Sequence, residues 1–590
     1  MSELRFYPNH SKLRKWFEAS SWLLIPIVSG LWVARQFSSP HFASCVSDDG
    51  ILQMSWVRQF SQLLAEGVWL PRWLPDSNGG YGSPVFIFYS PLIYYVSAFV
   101  YWLTGSVVFS MKLVRWMGLC LSGFAMLPYA RRFASRQIAL IVALVYLSLP
   151  FHVLDISYWS LYASTWAWIW FPLILLFLDR ILTLDPNPTL ALCSFSFCYA
   201  GLVLTHLVSA YLFSVVILAY VVFHLRGPIK ARVVWRSVLG VLLGVGVAAY
   251  FLWPAIIERP LVHLEYSTLL PEFNFRNTFL FFPDPILMSA DSFLARTIPL
   301  LRWIALLQVS LVLVSLAIIL KIHEKRSRAR KAVIWAGGTA LGCLFLMSRP
   351  SAWIWDLLPG LPQVQFSTRW MSILTLASAL AIGLAMTAYP ETSPSTGIKW
   401  LKLSHFSLCL GACFFSVVIV MSGCFLGEDE EKLAIANFNN APEYNPKVMP
   451  NWKQRTIETR DPVVAVLQGN AQIRVNQWQA QSRRIHVDAE GPVRLRLRLF
   501  NYPGWVIKGN NGRLTPTDDS CTGGMVIDLD PGLHDLHVEF TETWWRRISL
   551  LVSMVTVLTL IVGQTCSYLQ SKEISNPIGA EDNLKNKGTH

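Results

Sequence analysis

The sequence predicts a polytopic α-helical membrane protein of about twelve spans that carries a small β-sandwich on its outer face. Three observations predict it. Hydrophobic residues make up 53% of the chain and charged residues only 14%, with a positive mean hydropathy, a balance suited to a bilayer rather than to water. Apolar runs near the ~20 residues that a bilayer requires recur along the chain, and short connections between them hold most of the basic residues. Between about 427 and 545 the composition turns soluble and the pattern alternates: RIHVD (484–488), RLRLRLF (494–500) and LHDLHVEF (533–540) have a strand's period of two, and GNNG (509–512) is a hairpin turn signal.

Taken in order, Lys12, Arg14 and Lys15 precede an apolar run with no small-residue cleavage site, so the first span (20–37) is an uncleaved helix running inside to outside. An outer loop, 38–106, follows. In it Ile51, Leu52, Met54, Trp56, Val57, Phe60, Leu63 and Leu64 recur at near-helical spacing among Gln and Arg, which predicts an amphipathic helix along the interface. The run 85–102 contains Pro91, and counting it as a crossing would put Arg131, Arg132 and Arg136 outside. It therefore reads as a re-entrant or interfacial helix. Further spans fall at 107–130, 137–151, 162–180, 189–206, 209–225, 234–256, 297–320, 332–348, 367–388, 404–426 and 547–569. This places both termini, and the basic connections 224–236, 321–331 and 397–402, on the inner side. Arg546 and Arg547 are a local exception at an outer end, read with Trp544 and Trp545 as an interfacial collar. The linear organisation is then a membrane domain (1–426), an outer β-domain (427–545), a last helix (546–569) and a disordered cytoplasmic tail (570–590).

A net charge of +13 raises nucleic acid as a partner, but the basic residues lie where positive-inside anchoring puts them, and no nucleic-acid partner is expected. The 25 Trp and 19 Tyr fit aromatic belts at the two interfaces. Of the ten cysteines, Cys120, Cys193, Cys198, Cys343, Cys409, Cys413 and Cys566 sit in apolar spans without metal-ligand spacing, as packing residues. Cys45 and Cys521 share the outer face, and whether they pair stays open.

The chemistry concentrates at that face. Asp48 and Asp49 stand just beyond the first span; paired carboxylates there suit a general base or a divalent cation such as magnesium or manganese, while one of them alone would serve as a helix cap. His152 and Asp155, three residues apart at the outer end of a span, share a helical face and are catalytic candidates with them. Arg72, Lys112 and Arg115, with Arg369 in QFSTRW, are cations at headgroup level that suit a lipid phosphate, although each alone also suits snorkelling. His206, Glu258, His263 and Glu265 are further outer-face polar residues; Tyr81 of the Gly-rich GYGSP turn joins His206, His263 and Glu265 as substrate-binding candidates. No P-loop, GxSxG, HExxH or GxGxxG context is present, which removes nucleotide hydrolysis, serine hydrolysis, zinc proteolysis and a Rossmann cofactor.

These motifs resemble the GT-C superfamily of integral-membrane glycosyltransferases, which includes protein O-mannosyltransferases and the lipid A aminoarabinose transferase. The resemblance covers nearly the whole chain: SDDG, GVWLPRW and GYGSPVFIFYSPLIYY in the first loop, then HVLDISYW, GLVLTH and QFSTRW, and NYPGW and LDPGLHDLHVEF in the β-domain. Within it the chain is similar to bacterial membrane proteins of the 6-pyruvoyl-tetrahydropterin-synthase-related type, a label that denotes no activity. The resemblance implies a cell-membrane enzyme that moves a sugar from a polyprenyl-phosphate donor to a glycan, lipid or protein acceptor on the extracytoplasmic side. Asp48 or Asp49 would deprotonate the acceptor or hold a metal, and cations near the first loop would hold the leaving phosphate. DDG departs from a DxD pattern, which leaves open which aspartate is the base. A lipid-linked glycan flippase would need charges at the bilayer midplane and matched helix breaks, and a non-catalytic envelope scaffold would tolerate loss of the rim carboxylates.

Overall fold

The helix Met371–Ala385 is buried along almost its whole length, and its residues are nearly all small or aliphatic, as a helix enclosed on every side requires. Against it lie Arg136–Ser148, Phe293–Ile322 and Arg328–Leu346. A Cβ at Gly383 would come within 2.3 Å of Val142, so this contact depends on glycine. The computed structural model of the chain describes residues 20–41, 49–159, 161–183, 187–225, 230–268, 271–283, 293–322, 327–388, 396–423, 441–448 and 462–575. These form two compact units: the first comprises 1–47, 112–176 and 275–426, and the second 48–111, 177–274 and 427–590. This division differs from the linear boundaries at 426 and 545, because the first loop and the last helix fall in one unit with the β-domain.

The protein is a multi-pass membrane protein. Among the described residues, eight helices are long and apolar enough to cross a bilayer, and two bent pairs, Arg136–Ser148 with Pro150–Trp159 and Ala231–Val247 with Ala249–Ile257, raise this to ten. The other two expected spans are helical, but Leu24–Ser38 has only 15 residues and Arg328–Leu346 opens on Arg328, Arg330 and Lys331. The run 85–102 is broken into Val85–Phe88 and Leu92–Thr104; the second, at 13 residues, reaches about 20 Å, short of a ~30 Å hydrocarbon core.

Both bends have identifiable causes. Leu149 is extended ahead of Pro150, and the Ser416 hydroxyl donates to the Ser148 carbonyl at 2.8 Å, a group the broken ladder leaves exposed. In the second unit the 77° bend near Ala248 is closed by one side chain of the last helix: Ser553 Oγ accepts from Tyr250 N (2.8 Å) and donates to Gly246 O (3.2 Å).

The β-domain is built from β1 (Val464–Gln468), β2 (Ala471–Trp478), β3 (Ser482–Ala489), β4 (Val493–Phe500), β5 (Trp505–Gly509), β6 (Gly512–Leu514), β7 (Thr517–Asp518), β8 (Gly524–Leu529) and β9 (Gly532–Phe540). Two antiparallel sheets, ordered β1-β4-β8-β7 and β2-β3-β9-β5-β6, share one core. Alternation set their faces: Leu495, Leu497 and Leu499 of RLRLRLF point inward, and Arg494 points out to Asp528 at 3.0 Å. The GNNG turn closes β5 onto β6, pairing Gly509 with Gly512. Trp73, Tyr81 and Ile87 of the first loop belong to the same core. Gly82, at φ +85, lets the loop close over Trp73; a Cβ there would lie 2.1 Å from the indole nitrogen. Arg483 is buried between the rings of Trp478 (4.4 Å) and Trp505 (4.7 Å). Burial, and then the like charge of Arg498, push its guanidinium down to about 9, so it stays cationic at neutral pH.

The helix Asp49–Ala65 corrects one expectation. It does not lie along the interface with a polar face outward: Gln53, Ser55, Gln59 and Ser61 are buried together with its apolar residues. Trp56 and Phe60 pack edge-on against Phe86, Tyr89 and Tyr95, while Gln59 donates to Ser55 Oγ (3.1 Å) and accepts from Asp76 N (3.0 Å). The last helix, Trp544–Ser575, runs on into what was expected as tail, and 576–590 lie outside the described residues.

Candidate active site

In the first unit a polar cluster forms where four helical segments meet. Leu24–Ser38 contributes Gln36, Val107–Ala130 contributes Arg115, the segment after Pro150 contributes Asp155, and Tyr162–Leu182 contributes Ser164. Pro150 at the first position of a short helix and a π-helical turn over Asp155–Trp159 shape the third segment; wide turns of this kind re-aim side chains. Arg115, fully buried, donates through one terminal nitrogen to Gln36 Oε1 (3.1 Å) and to the Ile156 carbonyl (3.2 Å). Gln36 Nε2 donates to the same carbonyl at 3.0 Å. Asp155 is 1% exposed: its Oδ2 accepts from Ser164 Oγ at 2.7 Å, and its buried Oδ1 has no hydrogen-bond partner among the described residues. Arg115 interacts electrostatically with Tyr162 and Asp155. One helical turn before Arg115, Lys112 Nζ donates to the Ser39 carbonyl at 2.7 Å.

The expected residues are distributed unevenly. Asp48 lies outside the described residues, as does Cys45; Asp49 opens the helix Asp49–Ala65, and its side chain is likewise outside them. His152 does not join Asp155. Its Nδ1 lies 2.8 Å from the Tyr146 carbonyl, which fixes the proton on that nitrogen, and its ring stacks on Trp168 at 3.6 Å. The turn after Pro150 sends the two side chains to different neighbours, and among the described residues the buried Nε2 of His152 has no hydrogen-bond partner. Arg72 belongs to the second unit and Lys112 and Arg115 to the first, so neither unit holds the three-cation cluster that was expected. Arg72 is buried and paired to Glu542 (2.8 Å) and the Tyr250 carbonyl (3.2 Å). Arg369 caps the Phe366 ring at 5.5 Å and donates to Gln365 Oε1 at 3.2 Å.

The substrate-binding candidates also differ in kind. Tyr81 is buried in the β-domain core beside Phe500 (5.2 Å), where it is a packing residue. His206 stands at the break between Pro188–Thr205 and Leu207–His224, with Nδ1 2.7 Å from Ser209 Oγ. His263 stacks on Tyr266 at 4.4 Å and meets the exposed Glu265 at 3.2 Å.

Two sets of residues carry more than their sequence context suggested. Gln36 and Ser164 are polar residues inside apolar runs, which is itself the signal that could have found them. In the second unit Glu258 and Arg546 form a fully buried two-pronged ion pair (both contacts 2.7 Å), and Glu258 also accepts from Tyr502 Oη (2.9 Å) and Trp545 Nε1 (2.8 Å). Burial and Glu258 push the Tyr502 phenol well above its ordinary value, so it remains the donor. Arg546, expected as part of an interfacial collar, is the buried counterion of Glu258, which accounts for a cation at this helix end. Among the described residues no three His, Cys, Asp or Glu side chains converge as metal ligands. Asp48 and the Asp49 side chain, the candidates for a metal, lie outside the described residues.

Fold and cluster together define a multi-pass membrane protein with buried ionisable groups inside its helical bundle and a β-domain joined to its first loop. The sequence matches no protein-family model and no curated protein sequence at a significant level. The chain is similar to the oligosaccharyltransferase of Archaeoglobus fulgidus in its apo form, with 12% identity over 74% of this chain and 62% of that one and a TM-score of 0.46. It is also similar to the arabinofuranosyltransferase AftD from Mycobacteria (13% identity, 69% of this chain and 28% of that one, TM-score 0.41) and to ArnT from Cupriavidus metallidurans bound to undecaprenyl phosphate (14%, 63% and 79%, TM-score 0.31). The chain thus spans about three fifths of the oligosaccharyltransferase and about a quarter of AftD. At these scores the likenesses assign no residue role and no substrate.

Proposed function

We propose that the protein is a glycosyltransferase that moves a sugar from a polyprenyl-phosphate donor to a glycolipid, polysaccharide or protein at the extracytoplasmic face of the cell membrane. The observation that carries this reading is Asp155: a carboxylate enclosed among apolar helices, held by Ser164 through one oxygen and bare at the other. Burying an ionisable group at membrane depth costs several kcal/mol unless it is paired, so such a group marks a functional candidate, and the unpaired oxygen is where an acceptor hydroxyl would dock. The GT-C-like motifs around it add the reaction class. In that reaction the acceptor oxygen bonds to the anomeric carbon as the bond from that carbon to the phosphate oxygen breaks. The acceptor proton passes to a carboxylate, and the polyprenyl phosphate leaves with the electron pair. Asp155 and, from the motif, Asp48 or Asp49 are the carboxylates available for this. Arg115 sets the field around Asp155, and Lys112 stands a turn closer to the headgroups. No step is routed through a metal.

The test is transfer by the purified full-length protein in nanodiscs from synthetic undecaprenyl-phosphate hexose and pentose donors, with glycolipid products read by mass spectrometry. Donor-dependent transfer that disappears in Asp155→Asn, Asp48→Asn or Asp49→Asn while the protein stays folded is the expected result. Full transfer by all three variants would overturn the assignment.

A further inference from the structure

We propose that Gln36 is a positioning residue: its amide holds Arg115 against the peptide that follows Asp155 and so fixes where that carboxylate points. This rests on the functional reading above. Three contacts close a triangle: Arg115 to Gln36 Oε1 (3.1 Å), Arg115 to the Ile156 carbonyl (3.2 Å), and Gln36 Nε2 to that same carbonyl (3.0 Å). Ile156 is the residue after Asp155, so two side chains from two other helices grip the carbonyl beside the carboxylate. The amide does both jobs at this position, since it accepts from a guanidinium and donates to a carbonyl at once; ionised Glu could accept but not donate, and Met would fill the volume with neither.

The setting is rigid. On the Arg115 helix, Gly118 lies so close to Trp166 that a Cβ would meet its ring at 2.6 Å, and the Trp166 nitrogen donates to the Val114 carbonyl at 2.9 Å. On the first helix, a Cβ at Gly30 would meet the Trp116 indole nitrogen at an ordinary contact distance, 3.7 Å. Within this packing the orientation of the guanidinium is set by its acceptors, and Gln36 is one of them. Gln36 is 3% exposed, and a buried amide is costly unless satisfied; the triangle satisfies it.

The test is a double-mutant cycle on the full-length protein in nanodiscs with the undecaprenyl-phosphate donors, reading kcat, donor KM and Tm. Gln36→Met should lower kcat by about ten- to a hundredfold, the scale of a misplaced catalytic group, with donor KM and Tm unchanged. In an Arg115→Met background the same change should lower kcat no further, because the clamp is already gone. Should Arg115→Met fail to fold, Arg115→Lys, which keeps the charge but cannot reach both acceptors, carries the same cycle. Wild-type kcat in Gln36→Met, or a loss of kcat that tracks a fall in Tm and adds to the Arg115 effect, would overturn the positioning role. A wild-type protein that transfers no sugar at all would instead overturn the functional reading, and the positioning role with it.

Discussion

Glu258 in the second unit and Asp155 in the first are both carboxylates with almost no exposure, and each interacts with a fully buried arginine. Their hydrogen bonds differ. Each oxygen of Glu258 accepts twice, from Arg546 and Trp545 on one side and from Arg546 and Tyr502 on the other. Asp155 accepts from Ser164 on one oxygen and presents the other bare. A carboxylate with every lone pair taken is held as part of the scaffold, because a ligand could displace nothing there without loss; a buried carboxylate with one oxygen unpaired keeps an acceptor free, which the proposed function assigns to a substrate hydroxyl. Burial and an arginine neighbour are common to both carboxylates, whereas the state of each oxygen differs.

The comparison can be broken most directly at the lock. Arg546→Ala leaves Glu258 buried without its counterion and should cost about 3–5 kcal/mol of stability in denaturant unfolding; a loss under about 1 kcal/mol would remove the ion pair as a lock. Replacing both partners, Glu258→Met with Arg546→Met, should recover most of that loss, because no lone charge remains. At the site the pattern should invert. Asp155→Asn keeps the shape and the Ser164 contact and should change stability by no more than about 1 kcal/mol, while sugar transfer falls by about a hundredfold or more. A large stability loss there would make Asp155 a second lock.

The smallest effect sharpens the scale. Asp519 in the β-domain accepts from Thr522, the Cys521 amide and Arg496 (3.3 Å); burial alone would raise its carboxyl, but these contacts outweigh it and hold the carboxyl below the usual range. Its stabilisation, about 1–2 kcal/mol, is therefore present above the unfolded value near 3.9 and is lost as pH falls through the lower folded value. The Tm difference between wild type and Asp519→Asn should be clear at pH 7 and shrink toward zero as pH falls below the ordinary carboxylate range; a difference independent of pH would assign it to packing.

Much of this fold was legible in the sequence alone. Apolar runs, Pro91 in the broken segment and the alternation in RLRLRLF each express a local rule, and each became the element it foretold. The site was legible in part: Asp155 and Arg115 carried the signal of charge at membrane depth. Spacing and motif give no direction for a side chain: the His152 ring lies on Trp168 after the turn at Pro150, and Tyr81 lies in the β-domain core. Arg546 ran against the positive-inside pattern because its partner was not in view.

Hydropathy and periodicity are properties of neighbouring residues, so the order of residues by itself determined the helices, the β-domain and where the chain meets the bilayer. Which charges meet was decided only in three dimensions. Glu258 and Arg546 are 288 residues apart and Gln36 and Arg115 are 79 apart, and each pair exists because packed helices were rotated to face one another. Rotation about a helix axis depends on every surrounding contact at once, such as Gly118 beneath Trp166 or Ser553 at the bend before Tyr250, and no window along the sequence contains those contacts.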